Sequence, residues 1–260
     1  MGTQVTSRVE GSVAWIELDG AQQLNAIGTA TYTQLAAAMH QLEQRDSVRA
    51  VVVHGAGRAF CAGADIEEIQ TFDGPDDFAT FVHGFTDALD VLAASPLPVI
   101  AAIHGSALGG GLELAMACDL RIATPDARLG LPEAKLGVLP GAGGTQRLPR
   151  LIPAGIATEL LMLGNFIDGQ RAHALGLVNR LSEPERLLDD AKALAEQLSG
   201  GASQVVSATK DLLHRTSQLS VSDGIDIERD VVSALFDTAD GREGFAAFTS
   251  RRAPKFGGAQ

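Results

Sequence analysis

The sequence predicts an α/β fold, on three observations. Short apolar runs without alternation, at 50–54 (AVVVH), 98–103 (PVIAAI) and 120–123 (LRIA), read as strands buried on both faces. Segments with apolar residues at helical spacing separate them, so strand and helix recur in turn. After about residue 143 the strand signal nearly vanishes and helical pattern takes over.

Taken in order, residues 5–10 and 13–18 are two short strands around a Gly-Ser turn, a hairpin. Residues 29–44 carry Leu35, Ala38, Met39 and Leu42 on one helical face. The strand at 50–54 ends at GAG. Residues 78–94 form a second helix through Phe81, Phe85, Leu89 and Leu92. The strand at 98–103 runs into Gly109, Gly110 and Gly111 and then a helix at 112–117, and 120–123 is a strand again. Residues 177–181 are the best late strand. LSGGASQ at 198–204 reads as a joint, and 205–248 is nearly all helical pattern. The expected organisation is a core over 1–200 and a helical C-terminal region over 201–260.

Composition narrows the function classes. Twenty Lys and Arg face 32 Asp and Glu, a net charge of −12, which argues against a broad nucleic-acid footprint. The two cysteines, Cys61 and Cys118, fit neither a metal spacing nor a disulfide framework, which points to a reducing cytoplasm; both read as small buried hydrophobes. No run approaches the ~18 apolar residues of a membrane span, and the first residues lack a secretory or transit pattern. A cytoplasmic protein is expected, with no membrane and no nucleic-acid partner.

The three consecutive glycines pose the functional question, because glycine inside an element costs roughly 0.5–1 kcal/mol relative to alanine. A glycine turn between a buried strand and a helix presents N–H groups at the positive end of the helix dipole. A dinucleotide fingerprint fails because Ala107 stands two residues after Gly105. A phosphate-binding loop fails because Leu112 and Glu113 follow the glycines. A nucleophile elbow fails because His104 and Leu108 flank Ser106 where glycines are needed. An oxyanion hole remains, beside the alternative of close helix packing. FCAGADIEEI at 60–69 is a second glycine turn after a buried strand, a source of a second donor. LGLPEAKLGVLPGAGGTQRLPR at 129–150 sets Glu133 in a Pro- and Gly-rich, otherwise apolar loop, where a carboxylate is either well hydrogen-bonded or functional.

Together these three stretches resemble the enoyl-CoA hydratase (crotonase) family, over nearly the whole chain from QLNAIG at 23–28 to FTSRRAPKF at 248–256. The resemblance implies a crotonase (ClpP-like) spiral of ββα units, a CoA thioester as substrate, and neither metal nor other cofactor. It implies that the N–H groups of Ala62 and Gly110 hold the thioester oxygen, with Gly109 and Gly111 admitting the thioester to the backbone. Glu113 and Glu133 fall at the hydratases' carboxylate pair, Glu113 helping to activate water and Glu133 exchanging the proton at Cα. Both also have plain structural readings, as a helix-start acid and a loop residue.

Leu24, Ala26, Ala64, Asp65 and Ile66 match positions that line the CoA adenine and pantetheine in the family, with Gly63 among them; Asp65 reads equally as a helix cap. Pro140 and Gly141 match the loop beside the acyl pocket. Lys255 matches a C-terminal region that contacts nucleotide or a neighbouring subunit. The helical region matches one that builds trimers, commonly paired into hexamers. Where the family often has an aromatic and a glutamine around LGLPE, this chain has Leu129 and Leu131. An enoyl-CoA isomerase is the nearest rival. An RNA-binding relative is disfavoured, because the helix at 29–45 holds only Arg45 as a Lys or Arg.

Overall fold

The computed structural model describes residues 2–257. Strands β1 (Gln4–Glu10) and β2 (Val13–Asp19) form the expected antiparallel hairpin. Helix α1 (Thr29–Glu43) then carries the chain to β3 (Ala50–Gly55), parallel to β2. The short α2 (Ile66–Ile69) and the long α3 (Pro75–Ala94) return it to β4 (Val99–Ile103), parallel to β3. β5 (Ser106–Leu108), α4 (Gly110–Ala117), β6 (Leu120–Ala123) and β7 (Arg128–Gly130) follow. A 3-10 turn (Pro132–Leu136), α5 (Gly144–Leu151), α6 (Ala154–Leu163), β8 (Phe166–Asp168), α7 (Gly169–Ala174), β9 (Arg180–Leu181) and α8 (Leu187–Ser199) complete the core. Helices α9 (Ser203–Thr216), α10 (Val221–Phe236) and α11 (Ala239–Thr249) end it.

Two sheets result, one of six strands in the order β1-β2-β3-β4-β6-β9 and one of three, β5-β7-β8. The alternation of side chains along a strand explains the unbroken apolar runs. Ile16, Val51, Val53 and Ala101 face a main core shared with α1, α3 and α4, whereas Trp15, Val52, Ile100 and Ile122 face a second core closed by Leu187, Ala191 and Leu194 of α8. Helix α3 buries Phe81, Phe85, Ala88, Leu89 and Leu92 along one face.

The second sheet departs from the sequence reading. Its strands are three residues each, too short for any periodicity to register, and β5 lies inside what reads as a turn before the glycines. The late strand expected over 177–181 shrinks to Arg180–Leu181. Isolated bridges Ile27↔Ala64 and Cys61↔Ala107 stitch residues 61–64 between the segment before α1 and β5.

The last helices are attached differently from the rest. α9 and α10 bury no residue fully, yet Lys210 of α9 is pinned: its Nζ donates to the carbonyls of Leu92 and Leu97 at 2.9 Å each and lies 2.9 Å from Asp119 Oδ2. Burial pushes the Asp119 carboxyl up, opposed by Lys210.

Candidate active site

Two turns from different strand ends meet at Gly110. Gly109 precedes α4 with φ 52°, a left-handed conformation that suits glycine, and its N–H donates to Gly130 O at 2.9 Å. A Cβ on Gly109 would stand 2.7 Å from Glu133 Oε1, and one on Gly111 would stand 2.2 Å from the Cys61 carbonyl oxygen. The glycines therefore admit a carboxylate on one side and a neighbouring backbone on the other. Gly110, the first residue of α4, keeps its N–H without an acceptor among the described residues.

The second turn is held from both sides. Phe60 N–H and Cys61 N–H donate to His104 O and Ser106 O, while Ile27 N–H donates to Gly63 O and Asp65 N–H to Ile27 O. Here the sequence expectation needs correction. The Ala62 N–H donates to Leu24 O at 2.9 Å and is therefore spent inside the fold. The N–H groups of Gly63 and Ala64 have no acceptor among the described residues, and Ala64's is the one beside Gly110: a Cβ on Gly110 would lie 3.5 Å from Ala64 N. Ala64, not Ala62, is paired with Gly110.

Beneath this turn lies Asn25, fully buried at φ 59°, a residue the sequence reading passed over. Its Oδ1 accepts from Gly20 N–H at 2.9 Å, and its Nδ2 donates to the carbonyls of Ala56 and Ala59 at 2.9 and 2.7 Å. The signal was present, a polar residue between apolar neighbours in QLNAIG. Leu24 and Ala26, expected against the CoA moiety, lie outside the cavity that the two glutamates enter; the Leu24 carbonyl holds Ala62, and Ala26 N–H donates to Gln23 O. Asp65 caps α2, its Oδ1 accepting from Glu67 and Glu68 N–H at 3.0 and 3.2 Å.

The two glutamates enter one cavity of about 410 Å³. Its walls are Ala62, Gly63, Ala64 and Ile66 from the second turn, Phe78, Phe81, Val82 and Phe85 from α3, Gly109 and Gly110, and Leu136, Val138, Leu139, Gly141 and Ala142. The α3 side chains read in sequence as core and prove to be wall as well. Pro140 is a second correction: it does not line the cavity but packs behind it, its Cβ 2.7 Å from where a Cβ on Gly144 would stand. Lys255, expected against nucleotide or a neighbouring subunit, lies apart from this cavity, its N–H donating to Glu243 Oε1 at 2.8 Å.

Glu113 projects from the first turn of α4 and is 2% exposed. Its Oε1 accepts from Ala142 N–H at 2.8 Å and Gly144 N–H at 2.7 Å. Its Oε2 makes no protein hydrogen bond and faces the cavity. Burial pushes the carboxyl up, opposed by the two N–H donors and the nearby Arg147 guanidinium. Glu133, from the 3-10 turn, has an enclosed Oε2 with no partner at all. Burial, with the negative Glu113 adding to it, pushes this carboxyl up to about 7. Two N–H donors and a cation favour the anion at Glu113, whereas at Glu133 only its own backbone N–H does, against burial and the Glu113 charge. The pair's proton therefore belongs to Glu133.

A larger recess, about 740 Å³, lies among Thr238, Asp240, Glu243, Arg252 and Lys255. Its chemistry is already satisfied: Glu243 is paired with Arg252 and held down to about 2. Cys61 and Cys118 are buried thiols pushed up to about 12, consistent with packing roles. Among the described residues no cluster of three His, Cys, Asp or Glu side chains is placed to hold a metal, and no helix is long and apolar enough to cross a membrane.

Known proteins share this arrangement's framework. The family model described as enoyl-CoA hydratase/isomerase matches residues 8–259. A probable enoyl-CoA hydratase of Bacillus subtilis is 40% identical over 235 residues, 90% of this chain and 91% of that protein. One from Rhizobium meliloti is 39% identical over 248 residues, 95% of each. The crystal structure of an enoyl-CoA hydratase from Polaromonas sp. JS666 superposes with a TM-score of 0.94 at 33% identity, over 97% of this chain and 99% of that one. Whole-length matches of sequence and of structure agree, and the chain belongs to the enoyl-CoA hydratase/isomerase family, with the crotonase fold.

Proposed function

We propose that the protein is an enoyl-CoA hydratase, adding water reversibly to a 2-enoyl-CoA to give the 3-hydroxyacyl-CoA in fatty-acid or related acyl-CoA metabolism. The observation that carries this is the pair of carboxylates of opposite character facing one apolar cavity, beside two free N–H groups. The thioester oxygen accepts from Ala64 and Gly110 N–H. Glu113 Oε2 takes a proton from water as the water oxygen bonds to C3, and the C2–C3 π electrons move to the thioester oxygen as an enolate. Glu133 then gives its proton to C2, and the enolate collapses back to the thioester. The two N–H groups bind most tightly when charge on that oxygen is greatest, so they act on the barrier.

An absorbance assay of the conjugated thioester across 2-enoyl-CoA chain lengths, run in EDTA without nicotinamide or flavin, tests the reading. Loss of absorbance with 3-hydroxyacyl-CoA as product supports it. Interconversion of 2- and 3-enoyl esters without added water makes the protein an isomerase instead.

The singly protonated pair is the working form in both directions, since hydration and dehydration only exchange which glutamate holds the proton. Activity is therefore expected to fall as pH rises through about 7, where Glu133 loses its proton, with the same alkaline limb for hydration and dehydration. A kcat/KM profile flat to pH 9 contradicts this assignment.

We propose further that 201–260 is an oligomerisation region. Its helices leave Leu213, Val221, Phe245 and Phe248 between 63 and 85% exposed, apolar surface suited to a second copy. Light scattering is expected to give a trimer or hexamer; a clean monomer at micromolar concentration refutes it.

A further inference from the structure

Glu113 owes its two hydrogen bonds to a backbone turn that must itself be held. Residues 142–144 lead into α5, and the N–H groups of Ala142 and Gly144 point at Glu113 Oε1. On the other side of the same turn lies Arg147. Its Nη1 donates to Ala142 O at 2.7 Å, and its backbone N–H donates to Gly143 O at 2.7 Å. Its Nη2 reaches Asp90 Oδ1 of α3 at 3.0 Å. Gly143, at φ 101°, makes room, because a Cβ there would stand 2.2 Å from Nη1. The guanidinium is 22% exposed and fixed at both ends of its fork, a geometry that lysine's single ammonium does not reproduce.

We propose that Arg147 is a positioning residue for Glu113: anchored on Asp90, it clamps the Ala142 carbonyl and so aims the Ala142 and Gly144 N–H groups at the carboxylate. The role of Glu113 in this statement rests on the hydratase reading; the clamp itself does not. The charged groups around Glu113 are few. Glu133 faces it from the 3-10 turn and Arg147 from α5, with Asp90 of α3 behind Arg147; Cys118, at the far end of α4, is kept neutral by burial. The Arg147 charge opposes the protonation of Glu113 that burial favours. Arg147 thus acts twice, through the turn and through its field. Asp90 is 60% exposed, so its ion pair adds little stability but sets where the guanidinium rests.

Arg147→Gln tests this in two independent ways. The first is kinetic. A displacement near 1 Å at a reacting group costs up to about 10²-fold, so kcat is expected to fall about 10-fold or more with little change in KM. The acid limb of the kcat/KM profile is expected to rise by about one pH unit as Glu113 becomes easier to protonate. Arg147→Lys keeps the charge and is expected to restore the limb while recovering only part of kcat.

The second readout needs no reaction. The carboxyl infrared band of Glu113, identified by subtraction of the Glu113→Gln spectrum, is expected to titrate about one unit higher in Arg147→Gln than in the wild type. A band shift in a protein that fails to hydrate 2-enoyl-CoA upholds the clamp and removes the hydratase reading. Unchanged band and acid limb in a folded Arg147→Gln protein, whatever its melting temperature, mean that Arg147 only braces the fold and overturn the proposal. If Arg147→Gln does not fold, Asp90→Asn serves in its place. Loss of the Asp90 charge by itself makes Glu113 harder to protonate, so a band and limb that nevertheless rise, because the guanidinium has left the turn, support the proposal, and wild-type or lowered values for both refute it.

Discussion

Glu113→Gln and Glu133→Gln are each expected to lower kcat for hydration by about 10²–10⁴-fold, the usual contribution of a general acid or base, with KM changed far less. The amide preserves shape but can neither take a proton from water nor deliver one to C2. The two variants are expected to fail differently. In Glu113→Gln the amide oxygen still accepts from Ala142 and Gly144 N–H, so the turn stays in place and only the base is gone. In Glu133→Gln the like-charged neighbour of Glu113 disappears, so the alkaline limb near pH 7 is expected to vanish from the residual activity. Steady-state kinetics over pH on both variants decide the matter, and wild-type turnover in either removes that glutamate from the mechanism.

Gly110→Pro is expected to cost about 10²–10³ in kcat, the typical effect of deleting one oxyanion donor. Proline deletes the N–H and is tolerated in a helix's first turn, which is where Gly110 sits. The added Cβ lies 3.0 Å from Phe85 Cε1, so that ring must yield by a few tenths of an ångström. Far-UV circular dichroism and oligomer mass therefore need to match the wild type before the rate is read. Affinity for a ground-state ester is expected to fall less than kcat, because charge on the oxygen grows toward the transition state. Near wild-type turnover in the folded variant would make Gly110 a packing residue and the free N–H pair incidental.

Ala62 and Ala64 mark the boundary of what the sequence could say. That FCAGAD supplies a donor was legible from a glycine turn after a buried strand. Which donor was not, because in a regular extended chain alternate N–H groups point the same way. Gly63, at φ 114°, breaks that alternation: Ala62 N–H turns to Leu24 and Ala64 N–H toward Gly110. A dihedral angle decides, and composition does not record it. Glu133 was legible because a carboxylate among apolar residues requires a reason, and Glu113 because it falls at the family's carboxylate pair. The donors that set Glu113 apart were hidden, being backbone N–H groups of Ala142 and Gly144 that no side chain announces. Leu129 and Leu131 looked like departures from a family pattern. Both are fully buried, and Leu131 packs against Gly144 behind the cavity wall, so both positions belong to the core. The strands β3 and β4 announced themselves by apolar runs, whereas β5, β7 and β8 are made by tertiary pairing alone.

The unpartnered oxygen of Glu133 carries a thermodynamic consequence. A carboxyl whose affinity for protons rises from 4.5 to about 7 on folding weakens the folded state as pH climbs through that interval, because the unfolded chain releases its proton first. Below about 4.5 the group is neutral in both states and the penalty is absent. Glu133→Gln removes the charge from the enclosed site, so its melting temperature is expected to exceed the wild type's at pH 8 and to match it near pH 4, as calorimetry at the two pH values can read. A screen for robustness alone would thus be drawn toward the substitution expected to slow turnover most, and the chain retains at this position a residue that strains its own fold.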